Sequence, residues 1–235
     1  MTQGTQRLIA AIDTPDAGKA GALVREVAPH CGLVKFGLEY FLANGPAGLQ
    51  AAQGAPVFLD LKLHDIPNTV AGAVHSLLPL GVDMLTIHAA GGAAMIAAAA
   101  KAAAAAGPRA PKILAVTVLT SLDASALSDI GVAGGTTQQV LRLARLALEN
   151  GADGLVCSAH EIAVLRDSFG DKPILVVPGI RPAGSAVGDQ ARVMTPEQAV
   201  SAGADYIVVG RPITQAAEPG AAAAAIAGAI KGLRG

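Results

Sequence analysis

The feature that most constrains this chain is a rhythm of short apolar runs. Runs rich in Val, Ile and Leu occupy residues 8–12, 33–36, 57–61, 84–87, 113–119, 155–157, 174–177 and 206–209. Their starts lie roughly 28 residues apart, close to the roughly 30 residues of one βαβ unit. Runs that are apolar on both faces fit parallel strands covered by helices better than half-exposed antiparallel ones. The stretches between them, 16–27, 39–53, 69–78, 137–150, 160–168 and 196–202, are Ala-rich and amphipathic, and each is long enough for a helix. Three inter-run segments end in Gly81-Val82-Asp83, Gly151-Ala152-Asp153 and Gly203-Ala204-Asp205. Glycine there suits a helix C-cap that turns the chain sharply back into a sheet. Eight strand–helix alternations predict a (β/α)8 TIM barrel, a single domain over residues 1–235. The rival, a doubly wound open sheet, fares worse because the first strand–helix turn, Asp13-Thr14-Pro15-Asp16, has no Gly-x-Gly-x-x-Gly and so no dinucleotide site.

Composition excludes several function classes. The 235 residues carry 17 Lys+Arg against 18 Asp+Glu, so no excess charge recommends nucleic acid or a membrane surface as partner. At 52% hydrophobic the chain has ample material for a large core. The alanine tracts at 97–106 and 221–225 read as thin outer helices, alanine having the best helix propensity. The long apolar stretch 89–107 is Ala and Gly with Lys101 inside it, which suits a packed helix rather than a membrane span. Residues 8–12 are too short for the apolar core of a signal peptide, so a soluble cytoplasmic protein is expected. Cys31 and Cys157 are far apart in apolar stretches and read as buried free thiols, and the five histidines show no zinc spacing, so no metal is expected.

Barrel enzymes build their sites at the C-terminal strand ends, and the polar residues collect there. Strand one ends at Asp13, strand two at Lys35, strand five at Thr120-Ser121 and strand eight at Gly210-Arg211, while strand three carries Asp60, Lys62 and Asp65. With a period of two, Asp60 and Lys62 point the same way and Leu59, Leu61 and Leu63 the other, which sends the charges into the barrel mouth. Asp13 and Lys35 extend this to an alternating network. A lysine flanked by carboxylates stays an ammonium, so Lys62 is a proton donor rather than a Schiff-base nucleophile. That favours a reaction generating a carbanion that needs both electrostatic support and a proton. On the far side, Gly210 lets backbone amides approach a phosphate and Arg211 can fork onto two of its oxygens. The segment Pro178-Gly179-Ile180-Arg181-Pro182, running on through Gly184, Gly188, Asp189 and Gln190, has the length and polarity of a lid. His88, ending strand four, reads as a barrel-layer or rim histidine rather than a catalytic one.

Asp60-Leu-Lys62-Leu-His-Asp65-Ile-Pro-Asn-Thr69, with Val118-Leu-Thr-Ser121, Pro178-Gly-Ile-Arg-Pro182, Gly188-Asp-Gln190 and Gly210-Arg211, resembles the bacterial orotidine 5′-phosphate decarboxylase family from Ile12 to Pro212. The resemblance implies orotidine 5′-monophosphate as substrate, UMP and CO2 as products, and no metal or organic cofactor. It implies that Lys62 protonates C6, with Asp60 and Asp65 completing a charged array beside Lys35. It further implies that Asp13, Lys35 and Thr69 hold the ribose, Thr120, Ser121 and Pro178 border the pyrimidine, and Gln190, Gly210 and Arg211 hold the phosphate, with Arg181 in the lid. The family is a homodimer in which Asp65 and Thr69 reach the partner's site. Two alternatives stand beside it. A sugar-phosphate lyase or synthase of the same superfamily would use Mg2+ and a carboxylate near strand two, where this chain has Lys35-Phe36-Gly37 and, further on, Glu39. A non-catalytic phosphoribosyl-binding protein would have no need of buried alternating Asp and Lys.

Overall fold

The computed structural model describes residues 3–182 and 194–233. Eight strands form a closed parallel barrel in sequence order: β1 Leu8–Ala11, β2 Leu33–Gly37, β3 Val57–Leu63, β4 Met84–His88, β5 Lys112–Val116, β6 Gly154–Val156, β7 Ile174–Val177 and β8 Tyr206–Val209. β8 pairs back onto β1, with Leu8 opposite Ile207. The expected fold is therefore the observed one.

Strand apolarity on both faces has a direct cause in this closure. Inward side chains, among them Ile9, Leu33, Phe58, Met84, Leu114 and Val208, fill the barrel's interior as one cluster. Outward ones, such as Val34, Phe36, Leu59 and Leu85, pack under the helices in a second, larger cluster. The tract 221–225 lies in the helix Pro219–Ala229 and the tract 97–106 in the helix Gly92–Ala104 up to its last two residues, which turn; Ala99, Ala102, Ala103, Ala223 and Ala227 are buried. Among the described residues, no helix is long and apolar enough to cross a membrane. Both cysteines are buried free thiols, as expected.

Two local expectations need correction. The stretch 39–53 is not one helix: an α-helix Leu38–Asn44 ends at Gly45, and a 3-10 helix Pro46–Ala52 follows. Gly45 adopts φ 61, outside helical space, and Pro46 has no N–H to continue the ladder. The run 113–119 leaves the sheet at Val116, because β6 ends at Val156, and the Thr117 N–H bond to the Val156 carbonyl at 3.3 Å ends the ladder there. Thr120 and Ser121 therefore sit in a turn beyond β5 rather than at its end, followed by a short helix Ala124–Asp129 capped by Asp123.

The Gly-x-Asp segments do more than turn the chain. Gly81, Gly151 and Gly203 adopt φ 65, 95 and 113, the left-handed C-cap conformation expected. Each following aspartate then clasps the first residues of the odd strand beside it. Asp83 Oδ2 accepts the Val57 N–H at 2.8 Å, Asp153 Oδ2 the Ile113 N–H at 2.9 Å, and Asp205 Oδ2 the Leu175 N–H at 2.7 Å. The same aspartates donate their own N–H to the carbonyls of Val57, Ile113 and Leu175 at 2.8, 2.9 and 3.1 Å. Asp205 also binds Arg166 Nη2 at 2.7 Å, tying the helix Ile162–Phe169 to this rim. The N-terminal rim is thus locked by carboxylates in front of β4, β6 and β8. Asp205→Ala strands the Leu175 N–H, on a residue 0% exposed. It should lower the unfolding free energy in urea by about 2 kcal/mol, and Asp205→Asn, which keeps an acceptor, should lose less. An Ala variant as stable as the unsubstituted protein would remove the clasp from the account.

Candidate active site

β2 turns Val34 and Phe36 outward and Lys35 inward, and β3 turns Leu59 outward and Asp60 inward. Lys35 Nζ lies 3.5 Å from Asp13 Oδ1 and 3.6 Å from Asp60 Oδ2. Lys62 Nζ donates to both oxygens of Asp60 at 2.9 Å. Asp13, Lys35, Asp60 and Lys62 therefore form one chain of alternating charge across the mouth, as the sequence spacing indicated. Gly37 stands opposite Asp60 in the register, and a Cβ there would lie 3.4 Å from Lys35 Nζ and 3.7 Å from Asp13 Oδ1, close against the first ion pair of the network.

The route to this arrangement is not a regular strand. Lys62 adopts φ 51, and the β3–β4 register shifts between Leu59 and Leu63. The Lys62 N–H is taken by Thr86 Oγ1 at 2.9 Å, and the same hydroxyl donates to Asp60 Oδ1 at 2.9 Å. Thr86 is fully buried at the centre of β4. Sequence reasoning missed it; the signal available was a lone hydroxyl in the apolar run Met84-Leu85-Thr86-Ile87.

Burial alone would raise the Asp60 carboxyl. The Lys35 and Lys62 ammoniums, helped by the hydrogen bonds from Lys62 and Thr86, outweigh burial and hold it below the usual carboxylate range. His88, at the end of β4, packs 5.5 Å from the His64 ring. Burial, then the positive neighbours His64 and Lys62, lowers its imidazole below the ordinary value. This favours the neutral imidazole, on a residue read from the sequence as a barrel-layer or rim histidine.

Beside the network lies a cavity of about 170 Å³ with Asp60 and Lys62 on one wall and Val116, Thr120, Pro178 and Val208 around it. A larger hollow of about 910 Å³, lined by Leu33, Met84, Arg109 and Lys112, opens at the opposite, N-terminal end and holds none of the network. Gly210 caps the helix Arg211–Thr214, and a Cβ on it would stand 3.3 Å from Asp13 Oδ2, so glycine lets β8 approach the network. Arg211 is exposed at the start of that helix. Arg181 Nη1 donates to the Ile180 carbonyl at 3.0 Å, and the Arg181 backbone N–H donates to the Met194 carbonyl at 3.1 Å. Gln190, with Gly184, Gly188 and Asp189, lies outside the described residues.

Three expected site residues are not brought to the charge network within the chain. Asp65 is exposed beyond β3, its carboxylate accepting the N–H of Ile66 at 2.6 Å. Thr69 is exposed in the first turn of the helix Pro67–Leu77, and Ser121 is exposed in the turn after β5.

The sequence profile described as "Orotidine 5'-phosphate decarboxylase / HUMPS family" matches residues 6–226. The chain belongs to this family. It is 57% identical over 228 residues to the orotidine 5′-phosphate decarboxylase of Anaeromyxobacter sp. strain K, covering 96% of this chain and 99% of that one. The enzyme of the same name from Gluconobacter oxydans is 55% identical over 224 residues, 94% of this chain and 95% of that one. Among solved structures, the orotidine 5′-phosphate decarboxylase of Lactobacillus acidophilus superposes with a TM-score of 0.85 at 39% identity, covering 95% of this chain and 98% of that one.

The depressed Asp60 carboxyl carries a stability consequence. Ionised Asp60 stabilises the fold above its ordinary value of 3.8, and that contribution is lost as the pH falls through the lower folded-state value. Asp60→Asn removes the partner of two ammoniums, one of them buried, and should destabilise at neutral pH by on the order of 3 kcal/mol. Urea titrations from neutral pH down past 3.8 should also show a shallower acid loss in this variant than in the unsubstituted protein. Parallel acid profiles would contradict the assignment.

Proposed function

We propose that this chain is an orotidine 5′-phosphate decarboxylase, a cytoplasmic carboxy-lyase that releases CO2 from orotidine 5′-monophosphate to give UMP, the last step of UMP synthesis. The observation that carries the reading is an ammonium held by both oxygens of one largely buried carboxylate, Lys62 on Asp60, at the edge of a small cavity. The family and its orotidine 5′-phosphate decarboxylase relatives supply the substrate.

The chemical difficulty is an electron pair left on C6 of the pyrimidine when the bond to the carboxylate breaks. No ring π-system can accept that pair, so fixed charges must stabilise it. Lys62 and Lys35 supply the positive charge, and Asp60 keeps Lys62 aimed without needing to move during the reaction. As CO2 leaves, Lys62 gives one proton to C6 and the resulting amine takes one back from solvent. Thr120, Ser121 and Pro178 border the ring, and Asp13, Lys35 and Thr69 hold the ribose. Gln190, Gly210 and Arg211 hold the phosphate under a lid that includes Arg181. Phosphate contacts remote from C6 can drive lid closure and so organise the charged site for reaction.

The residues themselves complete this chemistry without a cofactor. Among the described residues, no group of three or more His, Cys, Asp or Glu side chains could hold a metal ion. Glu39, the carboxylate after β2 that a Mg2+-dependent sugar-phosphate enzyme would call on, is exposed on the helix Leu38–Asn44. Loss of orotate absorbance from orotidine 5′-monophosphate should therefore proceed undiminished in EDTA. Turnover abolished by EDTA and restored by Mg2+ would move the chain to the sugar-phosphate branch.

The active form is a homodimer in which Asp65 and Thr69 complete the partner's site. Both are exposed while their own chain's network is already formed, and Ile66, next to Asp65 in the chain, leaves apolar surface at 66% exposure. Lys62→Ala and Asp65→Asn homodimers should each be nearly inactive. After random subunit exchange in equal amounts, about half the dimers are mixed, each with one intact site, and activity should recover to roughly a quarter of wild type. Verified exchange without recovery would place Asp65 in its own subunit's site.

A further inference from the structure

Three features of β3 and β4 converge on one atom. The first is backbone conformation: Lys62 is a non-glycine residue at φ 51, a region that L-residues enter only when surrounding contacts hold them there. The second is the broken ladder, in which the β3–β4 register shifts between Leu59 and Leu63 and leaves the Lys62 N–H without a regular strand partner. The third is the Thr86 hydroxyl, fully buried, which accepts that N–H at 2.9 Å and donates to Asp60 Oδ1 at 2.9 Å.

Donor and acceptor roles here are forced. A backbone N–H can only donate, and an ionised carboxylate can only accept, so the single hydroxyl proton of Thr86 must point at Asp60. One oxygen therefore fixes both ends of the catalytic contact, the main chain that carries Lys62 and the carboxylate that receives its ammonium. Threonine suits the task because its branched Cβ restricts χ1 and keeps the oxygen in place.

We propose that Thr86 is the positioning residue of the active site, holding Lys62 in its left-handed conformation and fixing the Asp60 carboxylate against the Lys62 ammonium. It acts through those two residues and need not touch substrate. The kinetic consequence rests on the decarboxylase reading; the geometric one does not. The groups facing Asp60 are Lys35 from β2, Lys62 from β3 and Thr86 and His88 from β4, with Asp13 beyond Lys35 on the β1 side. Of these, Thr86 contributes a hydrogen bond that favours the ionised carboxyl, so its removal raises the Asp60 titration and never lowers it.

Thr86→Val keeps the shape and deletes the hydroxyl. It should reduce kcat for orotidine 5′-monophosphate by about 30- to 100-fold through misplacement of Lys62. KM and the affinity for UMP should stay within about threefold, and the acid limb of kcat should move to higher pH. Thr86→Ser, which restores the hydroxyl, should recover both kcat and the acid limb to within about threefold of wild type. Carbon-13 titration of the Asp60 carboxyl, assigned with Asp60→Asn, should move upward in Thr86→Val and not in Thr86→Ser. Amide exchange needs neither variant nor substrate: the Lys62 N–H should exchange as slowly as its ladder-bonded neighbours in β3. Unchanged kcat and acid limb in Thr86→Val, equal impairment of Val and Ser, parallel loss of kcat and UMP affinity, or rapid exchange at Lys62 would each overturn the proposal. An unsubstituted protein that fails to decarboxylate orotidine 5′-monophosphate would sink the functional reading alone, since the titration and exchange data would still judge Thr86.

Discussion

A carboxylate with 15% of its side chain exposed, set between two lysines, is the constraint to which the mouth of this barrel conforms. Removing ions from water costs several kcal/mol each, and attraction between them offsets that only when geometry is good and the remaining lone pairs are filled. Asp60 meets both conditions. Oδ1 receives Lys62 and Thr86, and Oδ2 receives Lys62 and faces Lys35. No single strand could supply this set. Asp13 follows β1, Lys35 comes from β2, Asp60 and Lys62 from β3 and Thr86 from β4, so the site exists only because neighbouring strands converge at one end of a closed sheet.

The two ends of the barrel handle charge differently. At the N-terminal rim, Asp83, Asp153 and Asp205 spend their carboxylates on strand N–H groups, and Asp153 and Asp205 add Lys112 and Arg166. Those carboxylates are committed to closing the sheet. At the C-terminal mouth, the carboxylates and ammoniums pair with one another, and a cavity begins where they end. Barrel enzymes in general build their sites at the second of these ends. A left-handed non-glycine residue, Lys62, falls at the second end, held there by a hydroxyl from the next strand.

Much of this was legible in the chain itself. Eight apolar runs gave the strand count, and period-two alternation put Asp60 and Lys62 on one face. The Gly-x-Asp segments marked turns whose glycines are left-handed as expected. Local reading failed where a boundary depended on a partner. β5 stops at Val116 because β6 stops at Val156, and nothing within 113–119 announces that. The helix expected over 39–53 breaks at Gly45, where a backbone conformation overrode an amphipathic pattern.

The sequence by itself determined the barrel, the end of it that carries the alternating Asp and Lys residues and the residue types assembled there, because strand and helix periodicity are properties of near neighbours in the chain. Only the tertiary structure decided that Thr86, 24 residues from Lys62 and 26 from Asp60, would hold both. That contact depends on a register shift between two strands, which changes which residues face one another without changing the pattern of either strand. The carboxylate clasps follow the same rule. Asp205 reads as one end of a turn, and becomes a bond to Leu175 only once β7 and β8 lie side by side in a closed sheet.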